Sequence, residues 1–164
     1  MYGKILVPVD GSDTSTCGLN EAIKIAKNLG GRIRLVHVVN EFIIDGGYSP
    51  GMYANDLFQS LRDTGKTILA AGEALVRQSG IEVDSALFES IGGPAADFIV
   101  AQAKHWPADL VVMGTHGRRG LARLALGSDA EQVVRAMSVP VLLVRNAPQR
   151  QNQVSHGTAV GANA

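Results

Sequence analysis

Five short apolar runs rich in β-branched residues alternate along this chain with four stretches of helical periodicity, and that alternation constrains the fold more than any other feature. Lys4-Ile5-Leu6-Val7-Pro8-Val9 reads as a buried strand closed by Asp10-Gly11-Ser12. Asp13 to Leu29 reads as a helix with Leu19, Ala22, Ile23, Ala26 and Leu29 on one face. Ser12 or Asp13 is placed to cap its start, and Gly30 or Gly31 to end it. Arg32 to Val39 is the second strand, Asp56 to Ser79 the longest helix, with Leu57, Leu61, Ile68, Leu75 and Val76 marking a face, and Ile81 to Phe88 the third strand, its outer face wetter. Pro94 stands at the first position of a helix whose inner face is Ala96, Ile99, Val100 and Ala103. Leu110 to Met113, Ser128 to Met137 and Val139 to Val144 complete the pattern as strand, helix and strand. Parallel strands need long crossovers, so strict alternation predicts an α/β fold: a parallel sheet with helices on both faces.

A chain of 164 residues with 46% apolar and 18% charged side chains has enough core for one globular domain. Fifteen basic residues balance fifteen acidic ones, which argues against a broad nucleic-acid or anionic-membrane surface. Cys17 is the only cysteine, so no intrachain disulfide is possible and a cytoplasmic setting is expected. No apolar run approaches the length of a membrane span. The expected domain is 1–146, and 147–164, rich in Gln, Asn, Gly and Ala, is expected to be a disordered tail. Asn40 to Asn55 reads as a long loop suited to a lid.

The stretch from Val111 to Ser128 carries the chemistry. Its apolar start breaks into a loop holding Gly114, Gly117 and Gly120, then closes on Gly127-Ser128 before a new helix. Glycine lets backbone N–H groups approach an anion, and a helix N-terminus adds unpaired donors. Ser128 reads two ways: its hydroxyl donates to a phosphate, or Ser128-Asp129-Ala130-Glu131 is a capping box that uses it internally. A P-loop G-x-x-x-x-G-K-S/T, zinc-spaced His/Cys pairs and a G-x-S-x-G elbow are all missing. Ser12, Thr14, Ser15 and Thr16 after the first strand leave open a flavodoxin-like phosphate site there instead.

Gly114, Gly117 and Gly127-Ser128, separated by two and nine residues, resemble the nucleotide-binding signature of the universal stress protein family. The opening Lys4 to Ser12, the run Leu35-Val36-His37-Val38-Val39 and the closing Ser138 to Arg145 are also similar to that family. The resemblance implies a Rossmann-like, open five-stranded parallel sheet of order 3-2-1-4-5. It also implies an ATP-binding, homodimeric stress-response sensor or regulator. The adenine would lie near Pro8, Asp10, Val38 and Met113, and the phosphates against Gly114, Thr115, His116, Gly117, Arg118, Arg119, Gly120, Gly127 and Ser128. Ligands of open α/β sheets bind where the strand order reverses, here beyond the first and fourth strands. Asp10 is placed to cap its own turn, to meet the ligand, or to hold magnesium carried with ATP. No residue stands out as a general base or nucleophile, so slow ATP hydrolysis or nucleotidyl transfer ranks below binding, as does a non-nucleotide interaction module. Dimerisation is expected through Val139 to Val144, an apolar edge strand whose Pro140 lacks a donor.

Overall fold

The computed structural model describes residues 2–40, 54–90, 92–115 and 126–146. The elements follow in the order β1 (Lys4–Pro8), α1 (Asp13–Leu29), β2 (Arg32–Asn40), α2 (Ala54–Gln78), β3 (Val83–Ser90), α3 (Ala95–His105), β4 (Leu110–Gly114), α4 (Ser128–Ala136) and β5 (Val141–Val144). All pairings are parallel and the sheet order is β3-β2-β1-β4-β5, so the expected α/β architecture and its 3-2-1-4-5 order both hold. The lid reading of residues 40–55 and the tail after Asn146 lie almost wholly outside the described residues.

Alternate strand residues feed two cores. Ile5, Val7, Ile33, Leu35, Leu110 and Val112 pack beneath α1 and α2. Leu6, Val36, Val111 and Met113 pack beneath α3 and α4. Each large aliphatic side chain buried this way contributes roughly 1.5–3 kcal/mol. On α1, Leu19, Ala22, Ile23 and Ala26 are buried as the periodicity predicts, whereas Leu29, expected on the same face, ends the helix exposed. The Ser12 hydroxyl accepts from Ser15 N–H at 3.2 Å at its start, and Gly30, at φ 69°, turns the chain out of it. The inner face of α3 is likewise the predicted one.

Helix α2 departs from expectation. Leu57 is 44% exposed, and the buried stripe is Gly65, Leu69, Gly72 and Val76. A Cβ at Gly65 would stand 2.7 Å from His37 Cδ2, and one at Gly72 2.8 Å from Leu35 Cδ1. Two glycines two turns apart therefore let the helix lie directly on β2. The third strand starts at Val83 rather than Ile81, because Ile81 is buried at the end of α2 with its N–H on Val76 O at 3.4 Å. Pro94 is the N-cap of α3, one residue before the predicted position. At the amino end of the sheet Arg34 grips its register partner Asp84 with two 2.6 Å hydrogen bonds, and its guanidinium lies 5.0 Å from the Trp106 ring centroid. The carboxylate holds the Arg34 pKa above its ordinary value.

Candidate functional site

The switch point lies between β1 and β4. The chain leaves β1 for α1 on one face, whereas α3 and α4 cover the other. The β1–β4 register covers Ile5↔Leu110 and Leu6↔Val111, while β1 stays paired to β2 as far as Pro8↔Val36. Beyond Leu6 and Val111, the ends carrying Asp10 and Gly114 therefore open on a shared crevice.

Asp10 builds the turn out of β1. Its Oδ1 accepts from Ser12 N–H at 2.9 Å and from the Ser12 hydroxyl at 2.6 Å, while its own N–H donates to Ser15 Oγ at 3.3 Å. Through Oδ1 the side chain caps its own turn, one of the roles its position allows. Thr16 Oγ1 donates to Ser12 O at 3.0 Å. The Ser12 and Thr16 hydroxyls thus donate within the turn and the start of α1, and the Ser15 hydroxyl accepts from Asp10 N–H, so two of the four hydroxyl donors of a flavodoxin-like phosphate site are used internally.

Gly114 is buried, and a Cβ there would meet Thr14 C, O and Cγ2, each at 2.9 Å. A Cβ at Gly18 would stand 3.2 Å from Gly114 N and from Met113 C. Helix α1 and strand β4 touch backbone to backbone, and that contact requires glycine at 114 whatever ligand is bound. Its place in the sequence signature has a packing cause.

Thr115 is buried and donates its N–H to Val144 O at 2.9 Å. Its carbonyl accepts from Gly127 N–H, also at 2.9 Å, so the two ends of the glycine loop are pinned together. His116, Gly117, Arg118, Arg119 and Gly120 lie outside the described residues. Gly127 is the N-cap of α4 and Ser128 its first helical residue, exposed to solvent. The capping-box reading of Ser128 is therefore corrected. Glu131 N–H bonds Gly127 O at 2.9 Å, and the Glu131 carboxylate takes Arg135 at 2.6 Å. The pinned loop puts Gly127, which has no side chain to cap with, where the serine was expected. It also takes up the Gly127 N–H, so the pinning bond stands directly ahead of the first turn of α4.

Val38 and Met113 belong to the core beneath α3 and α4, and Pro8, two residues after Leu6, shares that face of the sheet. Three of the four residues expected around adenine thus share one face across β2, β1 and β4. His37, Gly65 and Gly18 were not among the predicted site residues, and Thr14 stood there only for the alternative phosphate site after β1. Glycine inside a helix was the one available signal, since interior glycine costs stability unless something approaches closely. A groove of about 620 Å³, lined by Asp56, Gln59, Asp63, Thr64 and Ile68 among others, runs along one side of α2 and includes none of the predicted site residues. At the sheet edge Arg62 holds the Glu89 carboxyl below its ordinary pKa through two 2.7 Å hydrogen bonds.

Among the described residues no helix is long and apolar enough to cross a membrane. Universal stress protein MJ0531 of Methanocaldococcus jannaschii is 34% identical over 145 residues, covering 88% of this chain and 83% of its own. The solved structure of MJ0577, from the same organism, matches with a TM-score of 0.80 at 27% identity, over 90% of this chain and 98% of that one. A universal stress protein from Archaeoglobus fulgidus, solved in complex with dAMP, matches with a TM-score of 0.61 at 25% identity, over 87% of this chain and 98% of that one. The sequence model of the Universal stress protein family matches residues 1–145, a span that takes in every strand and helix described above. On that match and on the shared fold, the chain belongs to the universal stress protein family.

Proposed function

We propose that this protein binds ATP in the crevice between the ends of β1 and β4 and works as a dimeric stress-response sensor or regulator. The observation that carries the reading is the Gly127 N–H to Thr115 O bond, which brings the start of α4 to the end of β4 at the switch point. The first turn of α4 then stands beside the end of β4, where the partial positive charge of a helix N-terminus would suit a polyphosphate. Adenine would lie against Pro8, Val38 and Met113, beside Asp10, with the phosphates along Gly114, Thr115, His116, Gly117, Arg118, Arg119, Gly120, Gly127 and Ser128. Gly114 and Gly127 would contribute by shape and by presenting their neighbours, since one packs on α1 and the other has its N–H engaged. The A. fulgidus relative bound to dAMP supports an adenine nucleotide as the ligand. Magnesium would arrive with the ATP, held mainly by phosphate oxygens and water. Asp10, engaged in its turn, is poorly placed as a general base, which favours binding over turnover.

Dimerisation would run through residues 139–144. β5 is the outer strand of the sheet, and Val141 to Val144 are each only half-buried in one chain. Native mass spectrometry of the purified protein, followed by calorimetric titration of ATP into the wild type and Gly117→Val, tests the nucleotide reading. ATP carried through purification and its loss in the folded variant are the expected results. Equal affinity in both proteins would remove the loop from the site.

A further inference from the structure

The carboxyl end of β1 is held by a side chain that the nucleotide reading leaves unused. His37 lies on β2, 6% exposed, with its Nδ1 2.7 Å from Val9 O. A carbonyl oxygen only accepts, so Nδ1 carries the proton. This is the one hydrogen bond to Val9 O among the described residues; Val9 N–H donates separately to Val36 O at 2.8 Å. The next group along, Asp10 N–H, donates to the buried Ser15 hydroxyl at 3.3 Å. Val9 C=O and Asp10 N–H are two ends of one rigid peptide plane. That plane is gripped by side chains from β2 and α1, and its orientation sets the direction in which Asp10 leaves the strand.

The opposite side of the ring shows what it is for. A Cβ at Gly65 would come within 3.1 Å of Nε2, 2.7 Å of Cδ2 and 2.7 Å of Leu87 Cδ1, and Nε2 has no hydrogen-bond partner among the described residues. The long helix therefore gives up a side chain to admit a ring whose one polar contact among the described residues is the Val9 carbonyl.

We propose that His37 is a positioning residue for the nucleotide site: through Val9 O, and together with Ser15, it fixes the peptide that presents Asp10 to the ligand. The proposal rests on the ATP-binding reading above and adds a residue remote from the glycine signature.

The test compares His37→Leu, which keeps bulk without a donor, with His37→Asn, whose amide nitrogen reaches the place of Nδ1. Ser15→Ala, a small change on the other side of the peptide, serves where His37→Leu folds poorly. ATP affinity is measured by calorimetry and amide hydrogen exchange is followed at Asp10, Gly11 and Ser12. His37→Leu and Ser15→Ala should bind ATP about tenfold more weakly, the effect of losing one buried hydrogen bond, and exchange faster at those amides. His37→Asn should stay within about threefold of the wild type, because it restores that bond. Wild-type affinity in folded His37→Leu and Ser15→Ala would overturn the role of His37 and leave the nucleotide reading standing. Equal losses in the Leu and Asn variants would overturn it too, since packing alone would then explain them. A wild type that takes up no adenine nucleotide would overturn the parent reading and this role together.

Discussion

Gly114→Ala separates two explanations for one glycine. Built on the observed backbone, the new Cβ stands 2.9 Å from Thr14 C, O and Cγ2, inside the 3.4–4 Å of ordinary contact. Two of those atoms are helix backbone, so no rotamer change relieves them and α1 has to shift as a body. Overpacking of this kind costs roughly 1–3 kcal/mol. Alanine in a strand recovers roughly 0.5–1 kcal/mol of backbone entropy relative to glycine. Gly114 does not adopt a positive φ, so no backbone strain adds to the account. The net loss expected is about 1 kcal/mol within a range of roughly 0–2.5, and each kcal/mol lowers Tm by about 2–4 °C in a domain of this size. Thr14→Ser in the same chain removes only Cγ2 and should recover part of that loss. Gly18→Ala, with its Cβ at 3.2 Å, should come out near neutral, because alanine regains about 1 kcal/mol inside a helix. Because Gly18 also packs on Gly114, the double variant should deviate from additivity. Urea and thermal melts beside ATP titrations read all four proteins. Gly114→Ala with wild-type stability and lost ATP affinity would refute the packing argument and return this glycine to the ligand.

Ser128→Ala should change stability by less than about 0.5 kcal/mol, since Gly127 holds the cap position. If the hydroxyl meets a phosphate, ATP affinity should fall by about 1.5–3 kcal/mol; a stability loss near 1 kcal/mol with unchanged affinity would restore the capping role. The wild type should scatter light as a dimer at high concentration and Leu143→Glu as a monomer or aggregate; a monomeric wild type would contradict assembly through β5. Glu89→Gln tests the Arg62 pair. The Glu89 pKa is lower in the folded chain than in the unfolded one, so its stabilisation is complete above the ordinary carboxylate range and is lost as pH falls through the folded value. The Tm gap between variant and wild type should be small at neutral pH and close in acid, and a gap that persisted there would assign the effect to packing.

The strand order, the faces of α1 and α3, and the crevice between the first and fourth strands were readable because they depend on apolar periodicity and on a topology rule. What escaped the sequence were contacts made by absence. Gly65 and Gly72 carry no hydrophobicity, so Leu57 and Leu61 stood in for them in the predicted face of α2, although Leu57 is 44% exposed. Ile81 looks like the start of a strand but is buried as the end of the preceding helix. Ser128 has every local mark of a capping residue. The bond that displaces it comes from Thr115, across the whole glycine loop, and no local pattern encodes it. His37 sits in an apolar run where a histidine reads as tolerated, and its partner Val9 is far along the chain.

The bond between Thr115 and Gly127 also fixes how freely this chain can vary. A segment tethered at both ends to a rigid strand and a rigid helix has its closure entropy set by those anchors, and doubling its length adds only about 0.6 kcal/mol. Any change of length between Thr115 and Gly127 therefore has to leave these two residues able to meet. Variants of such a sequence have to keep that closure, whatever they change between the two anchors, for α4 to start where it does.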